Sequence, residues 1–365
     1  MRKNIVFHPD GETYKHFRLP GMVVTAKGTL LIAWEARVVG SDLGEIDLYI
    51  GRSTDGGIHF DSFCLAKGGS FSKEYGGLDY KTLNNPVMMI DTKGYIHLLF
   101  SYNAGYNGLF HCRSDDDGIS WTTPMNILSQ LGGCGEGYPD RQWLACGPTH
   151  GVCSPTGRLI APVWIATSNF SKYPVYTIYS DDDGETWNLG ERVSENLDET
   201  AIAVLSDGNI MLNSRQFSVP YNDARIGYSK AENASDACRR ISISNSGISN
   251  WSKTVKELEL PDPGCAGSLC SALINNVHAL LFVNNADTTS RRNLCLYCST
   301  DDGKSWSYRR ILDQNFGGYS DVAIGLNGEV YVIREIERQG KPVLTALELF
   351  TFSAAELFSG EKGVV

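Results

Sequence analysis

Apolar residues along this chain come in short bursts, each introduced by a turn residue. Gly28 leads into Leu30, Leu31, Ile32 and Trp34, and Gly94 into Ile96, Leu98, Leu99 and Phe100. The same arrangement follows Gly157, Gly208, Asn276 and Gly328. Short apolar-rich runs bounded by Gly or Asn predict strands, and no stretch sustains the 3.6-residue period of a long amphipathic helix. The six turn residues stand 51 to 68 residues apart. A period of about sixty residues containing several short strands predicts propeller blades rather than a helical solenoid.

A second repeat interleaves with the first. Ser53, Ser114, Ser180 and Ser299 each begin a Ser-x-Asp-x-Gly-x-x-aromatic segment, with Asp55, Asp116, Asp182 and Asp301 at its third place and Phe60, Trp121, Trp187 and Trp306 closing it. An Asp able to bind backbone amides, a Gly able to take positive φ and a trailing aromatic describe a tight turn pinned to its own blade. The starts are separated by 61, 66 and 119 residues, so one further turn is expected near residue 240. Ser244, Ser246, Gly247 and Trp251 supply a degenerate version. The expectation is an all-β, six-bladed propeller forming one domain over residues 1–365, with the pinned turns serving the fold rather than chemistry.

Composition narrows the function. The net charge of −10 argues against nucleic acid or an anionic membrane as partner, and it means that any anion site must be a local gathering of arginines. No run approaches the ~18 apolar residues of a membrane span. Met1 to Asp10 lacks the apolar core of a secretory signal. Most of the ten cysteines sit within strand-like runs, as reduced thiols do, which points to a cytoplasmic protein. The seven histidines show no paired spacing of metal ligands, so neither metal nor cofactor is implied.

Three arginines stand out against the acidic background. Arg18 lies among apolar residues, Arg215 ends the run from Ile210, and Arg291 and Arg292 precede Leu294 to Cys298. Each is expected at the mouth end of an inner strand in a different blade. Guanidinium forks grip carboxylates in a bidentate manner and stay charged, so three converging forks would clamp a carboxylate.

With these residues in view the chain resembles the bacterial and animal exo-sialidase (neuraminidase) family from about Phe17 to Glu335. Phe17-Arg18-Leu19-Pro20 is similar to the family's Phe/Tyr-Arg-Ile-Pro, Leu212 to Arg215 to its Leu-Asn-Ala/Ser-Arg, and Gly318 to Asp321 to its Tyr-Ser-Asp signature. The resemblance implies a carboxylate clamp of Arg18, Arg215 and Arg291, with Arg292 as the alternative third member. It also implies Arg37 as a contact for the sugar, and Glu335 as the partner of Arg18. Tyr319 would be the nucleophile, Glu199 its base partner and Asp42 the acid/base, with Glu45 and Asp47 as competitors for the last role. Cys146 to Gly151 is similar to the family's Gly-Pro-Gly-x-Gly turn, with Thr149 in place of a Gly, and Asn85 and Trp164 occupy positions near the sugar.

The implied chemistry suits these residue types. A 2-keto sugar acid carries a carboxylate on its anomeric carbon, which would repel an attacking carboxylate but not a phenol. A phenol of pKa ~10 needs a base at hand. The resemblance therefore implies an exo-α-sialidase acting on sialylated glycans. Two other readings stand beside it: a hydrolase of a related ulosonic acid, deaminated or Kdo-type, and a non-catalytic glycan-binding propeller, which would have no use for nucleophile, base and acid together.

Overall fold

A computed structural model describes residues 1–76, 81–104, 108–132, 141–167, 172–216, 237–338 and 344–358. Its framework is a succession of antiparallel meanders in a propeller arrangement. One comprises Leu83–Ile90, Ile96–Tyr102, Gly108–Ser114 and Met125–Asn126, with Thr149–His150 added in parallel at its inner edge. The next comprises Arg141–Cys146, Leu159–Thr167, Val175–Ser180 and Asn188–Leu189, with Val152–Cys153 also on Leu159–Thr167. Leu197–Val204, Ile210–Gln216, Cys238–Ser244 and Val255–Pro261 follow, and then Ser268–Ile274, Val277–Asn285, Leu294–Ser299 and Tyr308–Asp313.

Among the described residues four self-contained blades result, rather than the six expected. The remaining eight strands form one continuous sheet. One half holds His16–Val24, Leu30–Arg37, Ile46–Ser53 and Asp61–Ala66; the other holds Ser320–Ile324, Glu329–Arg338, Leu344–Ser353 and the N-terminal Arg2–Phe7. The halves meet at a parallel pairing of His16 with Thr345, and Arg2–Phe7 lies antiparallel on Leu344–Ser353. The first and last strands, Arg2–Phe7 and Leu344–Ser353, are thereby knitted into one sheet, which a count of repeats along the sequence does not reveal.

The strands form where the apolar bursts lie because both of their faces are covered. Leu30–Arg37 is buried at all eight positions. Buried side chains collect between neighbouring sheets rather than in one central core: Leu31, Ala33 and Ile50 pack with Met88, Leu98 and Phe100, and Leu281 and Leu296 with Val332 and Phe350. The six predicted turn residues all have positive φ, from 62° at Asn276 to 87° at Gly157, so Gly or Asn stands where other residues would be strained.

The pinned turns close as their sequence predicts. In each of the four full segments the Ser hydroxyl accepts the amide of the Gly four residues on, for example Gly118 N at 2.9 Å from Ser114 Oγ, and the Asp carboxylate accepts amides beyond it, such as Ser120 N at 2.8 Å from Asp116 Oδ1. The degenerate turn repeats the scheme with longer bonds, the amides of Ile248 and Ser249 each 3.3 Å from Ser246 Oγ. Pairing of Leu30 with Ser53 and of Arg37 with Ile46 sets these turns at the opposite end of the blade from Arg37.

Candidate active site

Arg18 sits on His16–Val24 where the strand bulges between Arg18 and Gly21. Leu19 has φ 51° although it precedes a proline, a conformation that costs an L-residue about 1–2 kcal/mol. The cost is offset by the Leu19 amide, which donates to Glu335 Oε1 at 2.8 Å, and by burial of the Leu19 side chain with Tyr319, Cys265 and Ala266. Gly21 is needed beside it, since a Cβ there would lie 2.3 Å from the Thr149 carbonyl. The bulge turns Arg18 so that Nε and Nη2 each meet a Glu335 oxygen at 3.2 Å. Burial works against the Arg18 charge, but Glu335 and then Asp42 outweigh it and keep the guanidinium ionised.

Arg37 closes the fully buried strand Leu30–Arg37. Its Nε donates to Glu35 Oε2 at 2.7 Å and its Nη1 to Asp42 Oδ1 at 2.5 Å. Glu35 also accepts the Asn85 amide at 2.8 Å; burial raises its pKa, with Arg37 opposing. Asp42 stands on the loop after the strand with its side chain 61% exposed and 3.9 Å from Arg18 Nη1. The surrounding walls oppose its ionisation, but Arg37, then Arg18, overcome them and hold its carboxyl below the ordinary value. Its two sequence competitors are occupied elsewhere. Glu45 lies half-exposed 4.0 Å from Lys81 Nζ, while buried Asp47 accepts Tyr14 Oη at 2.5 Å and the Gly68 amide at 2.9 Å.

Across the site, Asp198 and Glu199 lie on Leu197–Val204 and Arg215 on the neighbouring Ile210–Gln216. Asp198 holds Arg215 in a bidentate pair, with Nε at 2.8 Å and Nη2 at 2.6 Å. Arg215 Nη1 is left to face Glu199 Oε2 at 2.6 Å, Tyr319 Oη at 3.2 Å and the Gly264 carbonyl at 3.3 Å. Tyr319 donates its hydroxyl to Glu199 Oε1 at 2.5 Å. Burial raises Glu199 to about 7; Arg215 opposes the rise and Asp198 adds to it. The guanidinium carbons of Arg18 and Arg291 stand 5.4 Å and 5.2 Å from the centre of the Tyr319 ring.

Arg291 is buried and its Nη2 donates to the Gly264 carbonyl at 2.9 Å. Arg292 is exposed and bonds Ser290 Oγ at 3.2 Å, so Arg291 is the member of the pair that stands beside Tyr319. Arg18, Arg215 and Arg291 all stand beside Tyr319, but not all of them on inner strands. Arg18 is on the first strand of its meander, Arg215 on the second, and Arg291 on the loop before Leu294–Ser299. Thr149 is buried, 1% exposed, with its backbone carbonyl close against Gly21. Asn85 is a neighbour of Glu35, and Trp164 stacks on Trp143 with ring centres 6.4 Å apart.

Several contributors escaped the sequence reading. Asp198 was legible only as a neighbour of Glu199, and Glu35 is a carboxylate inside an apolar strand, a signal in itself because such groups are buried only with partners. Gly318 beside Tyr319 is another: a Cβ there would lie 1.9 Å from Glu335 Oε2. Asp321 is fully buried and gathers the Met22 amide at 2.6 Å, Ser268 Oγ at 2.5 Å and His150 Nδ1 at 2.8 Å, tying Tyr319's segment to three others.

Residues 28–332 match the family described as BNR repeat-like domain. The chain belongs to that family. Among curated proteins this BNR-repeat chain is 27% identical over 344 residues to a sialidase of Micromonospora viridifaciens, covering 85% of this chain and 48% of that one. It is 29% identical over 353 residues to a sialidase of Bacteroides fragilis, covering 87% and 60%. It thus spans about half to three-fifths of the length of these relatives. Among solved structures it superposes on the Hadza microbial sialidase Hz136 with a TM-score of 0.79 at 24% identity, covering 97% of this chain and 69% of that one, a likeness of fold. The sialidase resemblance drawn from the motifs is thereby borne out at the level of family.

Proposed function

We propose that this protein is an exo-α-sialidase, a retaining glycoside hydrolase that releases terminal sialic acid from sialylated glycans. One observation carries the reading: the Tyr319 hydroxyl is bonded to a buried carboxylate, Glu199, while guanidiniums of Arg18, Arg215 and Arg291 surround the same phenol. Surrounding a neutral nucleophile with cations serves a substrate whose reacting carbon bears a carboxylate. The names of the relatives point the same way.

In this reading the three guanidiniums take the substrate carboxylate and bring the anomeric carbon to Tyr319 Oη. As the new C–O bond forms, the phenol proton passes to Glu199 Oε1 and the glycosidic C–O bond breaks. Asp42 gives its proton to the leaving oxygen, then takes one from the water that displaces Tyr319, whose oxygen recovers its proton from Glu199. Two displacements at one carbon retain its configuration.

The resting electrostatics fit this cycle once a substrate is considered. Asp42 is held ionised by Arg37 and Arg18, the wrong state for an acid. A substrate carboxylate on Arg18 adds negative charge beside Asp42 and draws off part of its support, which raises its proton affinity. Substrate binding thus shifts Asp42 toward the protonated form that the acid step needs.

The test is turnover of aryl glycosides of N-acetylneuraminic acid and of its deaminated and Kdo-type analogues, by wild type and by Tyr319→Phe. N-acetylneuraminic acid is expected to be released, and kcat/KM to fall at least ~10²-fold in Tyr319→Phe. No turnover of any of the three overturns the enzyme reading. Preference for a non-acetylated sugar replaces sialic acid with another ulosonic acid.

A further inference from the structure

Two of the three arginines round Tyr319 share a single acceptor. The Gly264 carbonyl takes Nη1 of Arg215 at 3.3 Å and Nη2 of Arg291 at 2.9 Å. A carbonyl oxygen has two lone pairs, so it can hold one donor from each guanidinium and fix how closely the two cations approach. The negative end of its dipole also offsets part of their repulsion. What places this oxygen thus sets the spacing of the clamp.

Gly264 is placed by a turn with a buried anchor. It sits at φ 79°, a conformation suited to glycine, and its amide and that of Cys265 both donate to Asp262 Oδ1 at 2.9 Å. The other oxygen of Asp262 accepts Arg239 Nη1 at 2.8 Å. Arg239, with no solvent exposure, also donates from Nη1 to the Cys265 carbonyl at 3.1 Å. Its remaining edge grips Asn213, with Nε to Oδ1 at 2.6 Å and Nη2 to the backbone carbonyl at 2.8 Å. Asn213 lies two residues before Arg215 on the same strand. One guanidinium therefore brackets both the strand that carries Arg215 and the turn that carries its acceptor.

The same turn reaches the nucleophile. Cys265 and Ala266 pack with Leu19 and Tyr319, and Asn285 Nδ2 joins the Gly318 carbonyl, 3.0 Å away, to Cys265 Sγ at 3.3 Å. Arg239 and Asp262 are both buried, and their bonds described above go to each other, to Asn213 and to the Gly264–Cys265 backbone.

We propose that Arg239 and Asp262 are positioning residues for the anion clamp, acting through the Gly264 carbonyl to set the spacing of Arg215 and Arg291. The inference rests on the reading of those two arginines as ligands of the substrate carboxylate. Loss of the bracket lets the two guanidiniums separate and weakens the carboxylate grip more than the chemistry at Tyr319. Lysine in place of Arg239 supplies three donors from a single point, fewer than the four bonds the guanidinium makes to Asp262, Cys265 and Asn213.

The test compares Arg239→Lys, Asp262→Asn and the paired Arg239→Met/Asp262→Asn, which removes both charges together and leaves no buried ion unpaired. Two readouts are taken from the full chain: steady-state kinetics on the aryl N-acetylneuraminide, and crystal structures of the folded variants. KM is expected to rise about 10- to 100-fold in the paired variant, the range for losing bonds to a charged group, with kcat changed less than threefold and an intermediate effect in Arg239→Lys. In the crystals, Arg215 and Arg291 are expected to leave Gly264 O. Guanidiniums unmoved in the paired variant, or kcat and KM both unchanged, overturn the proposal. Absence of wild-type turnover overturns the sialidase reading alone, and the crystallographic arm still decides whether Arg239 and Asp262 place the two arginines.

Discussion

The pinned turns and the Tyr319 site use carboxylates in opposite ways, at opposite ends of the blades. At Asp116 and Asp182 the carboxylate accepts amides and hydroxyls from its own segment, no more than four residues away. Slight burial opposes ionisation there, but the bonds from Ser120 hold Asp116 down at about 2, and those from Thr186 lower Asp182. Glu199 is the converse. Its partners Tyr319 and Arg215 are 120 and 16 residues distant in sequence, and burial raises it to about 7. The turn carboxylate is stabilised as an anion and contributes to folding, whereas the site carboxylate is kept in a costly state that chemistry can use.

The largest effects expected are therefore on activity without stability. Tyr319→Phe keeps the ring between Arg18 and Arg291 and removes only the oxygen, so the ~10²-fold loss of kcat/KM should come with a Tm within a few degrees of wild type. A large fall in Tm together with activity would mean that the phenol holds the fold, and the contrast between the two regions would collapse.

Glu199 sharpens the contrast through pH. Its folded pKa, about 7, lies above the ordinary value of 4.5. Its favourable contribution is thus complete below pH 4.5 and is lost as pH rises through 7. Over the same interval it becomes able to accept the Tyr319 proton, so kcat/KM should fall up to tenfold per unit as pH drops below 7. Glu199→Gln is expected to abolish that limb at a much lower rate and to melt at a higher temperature than wild type at pH 8. A Gln variant with the wild-type limb would assign the titration to another group.

The two regions also differ in how far the sequence discloses them. Each turn is made by residues within one short segment, so its spacing is visible in the chain and its hydrogen bonds follow from residue type. Arg18, Glu199, Arg215 and Tyr319 are brought together only by the ring, and no local pattern joins them; resemblance to a family supplied what spacing could not. Residues without a place in that resemblance, Arg239 and Asp262 above all, needed the structure. The blade count failed for a related reason. The pairing of Arg2–Phe7 with Leu344–Ser353, and of His16 with Thr345, lies beyond the range of any repeat period.

A smaller effect, of the opposite kind, is expected from Asp182→Ala. The substitution leaves the Thr186 amide and hydroxyl without their acceptor on an exposed turn, a loss comparable to that of a helix N-cap, about 1–2 kcal/mol. Chemical denaturation should register it, while kcat/KM stays within twofold of wild type. A tenfold fall in kcat/KM without unfolding would bring the turn into the chemistry.

The smallest effect tests whether the degenerate turn is an incomplete copy of the others. Ser246 occupies the Asp place, and its hydroxyl reaches the amides of Ile248 and Ser249 only at 3.3 Å, against 2.8 to 3.1 Å for the corresponding bonds to Asp116. A carboxylate extends one atom further and accepts charge-assisted bonds, which are shorter and stronger. Gly247 comes one place earlier than in the full turns, so Asp at 246 meets a tighter loop and recovers only part of the bonding. Ser246→Asp is therefore expected to stabilise the protein by about 0.5 kcal/mol at pH 7. The gain should disappear as pH falls below 4, when the new carboxylate is protonated. Destabilisation at pH 7 would show that the shifted Gly has committed this turn to a hydroxyl.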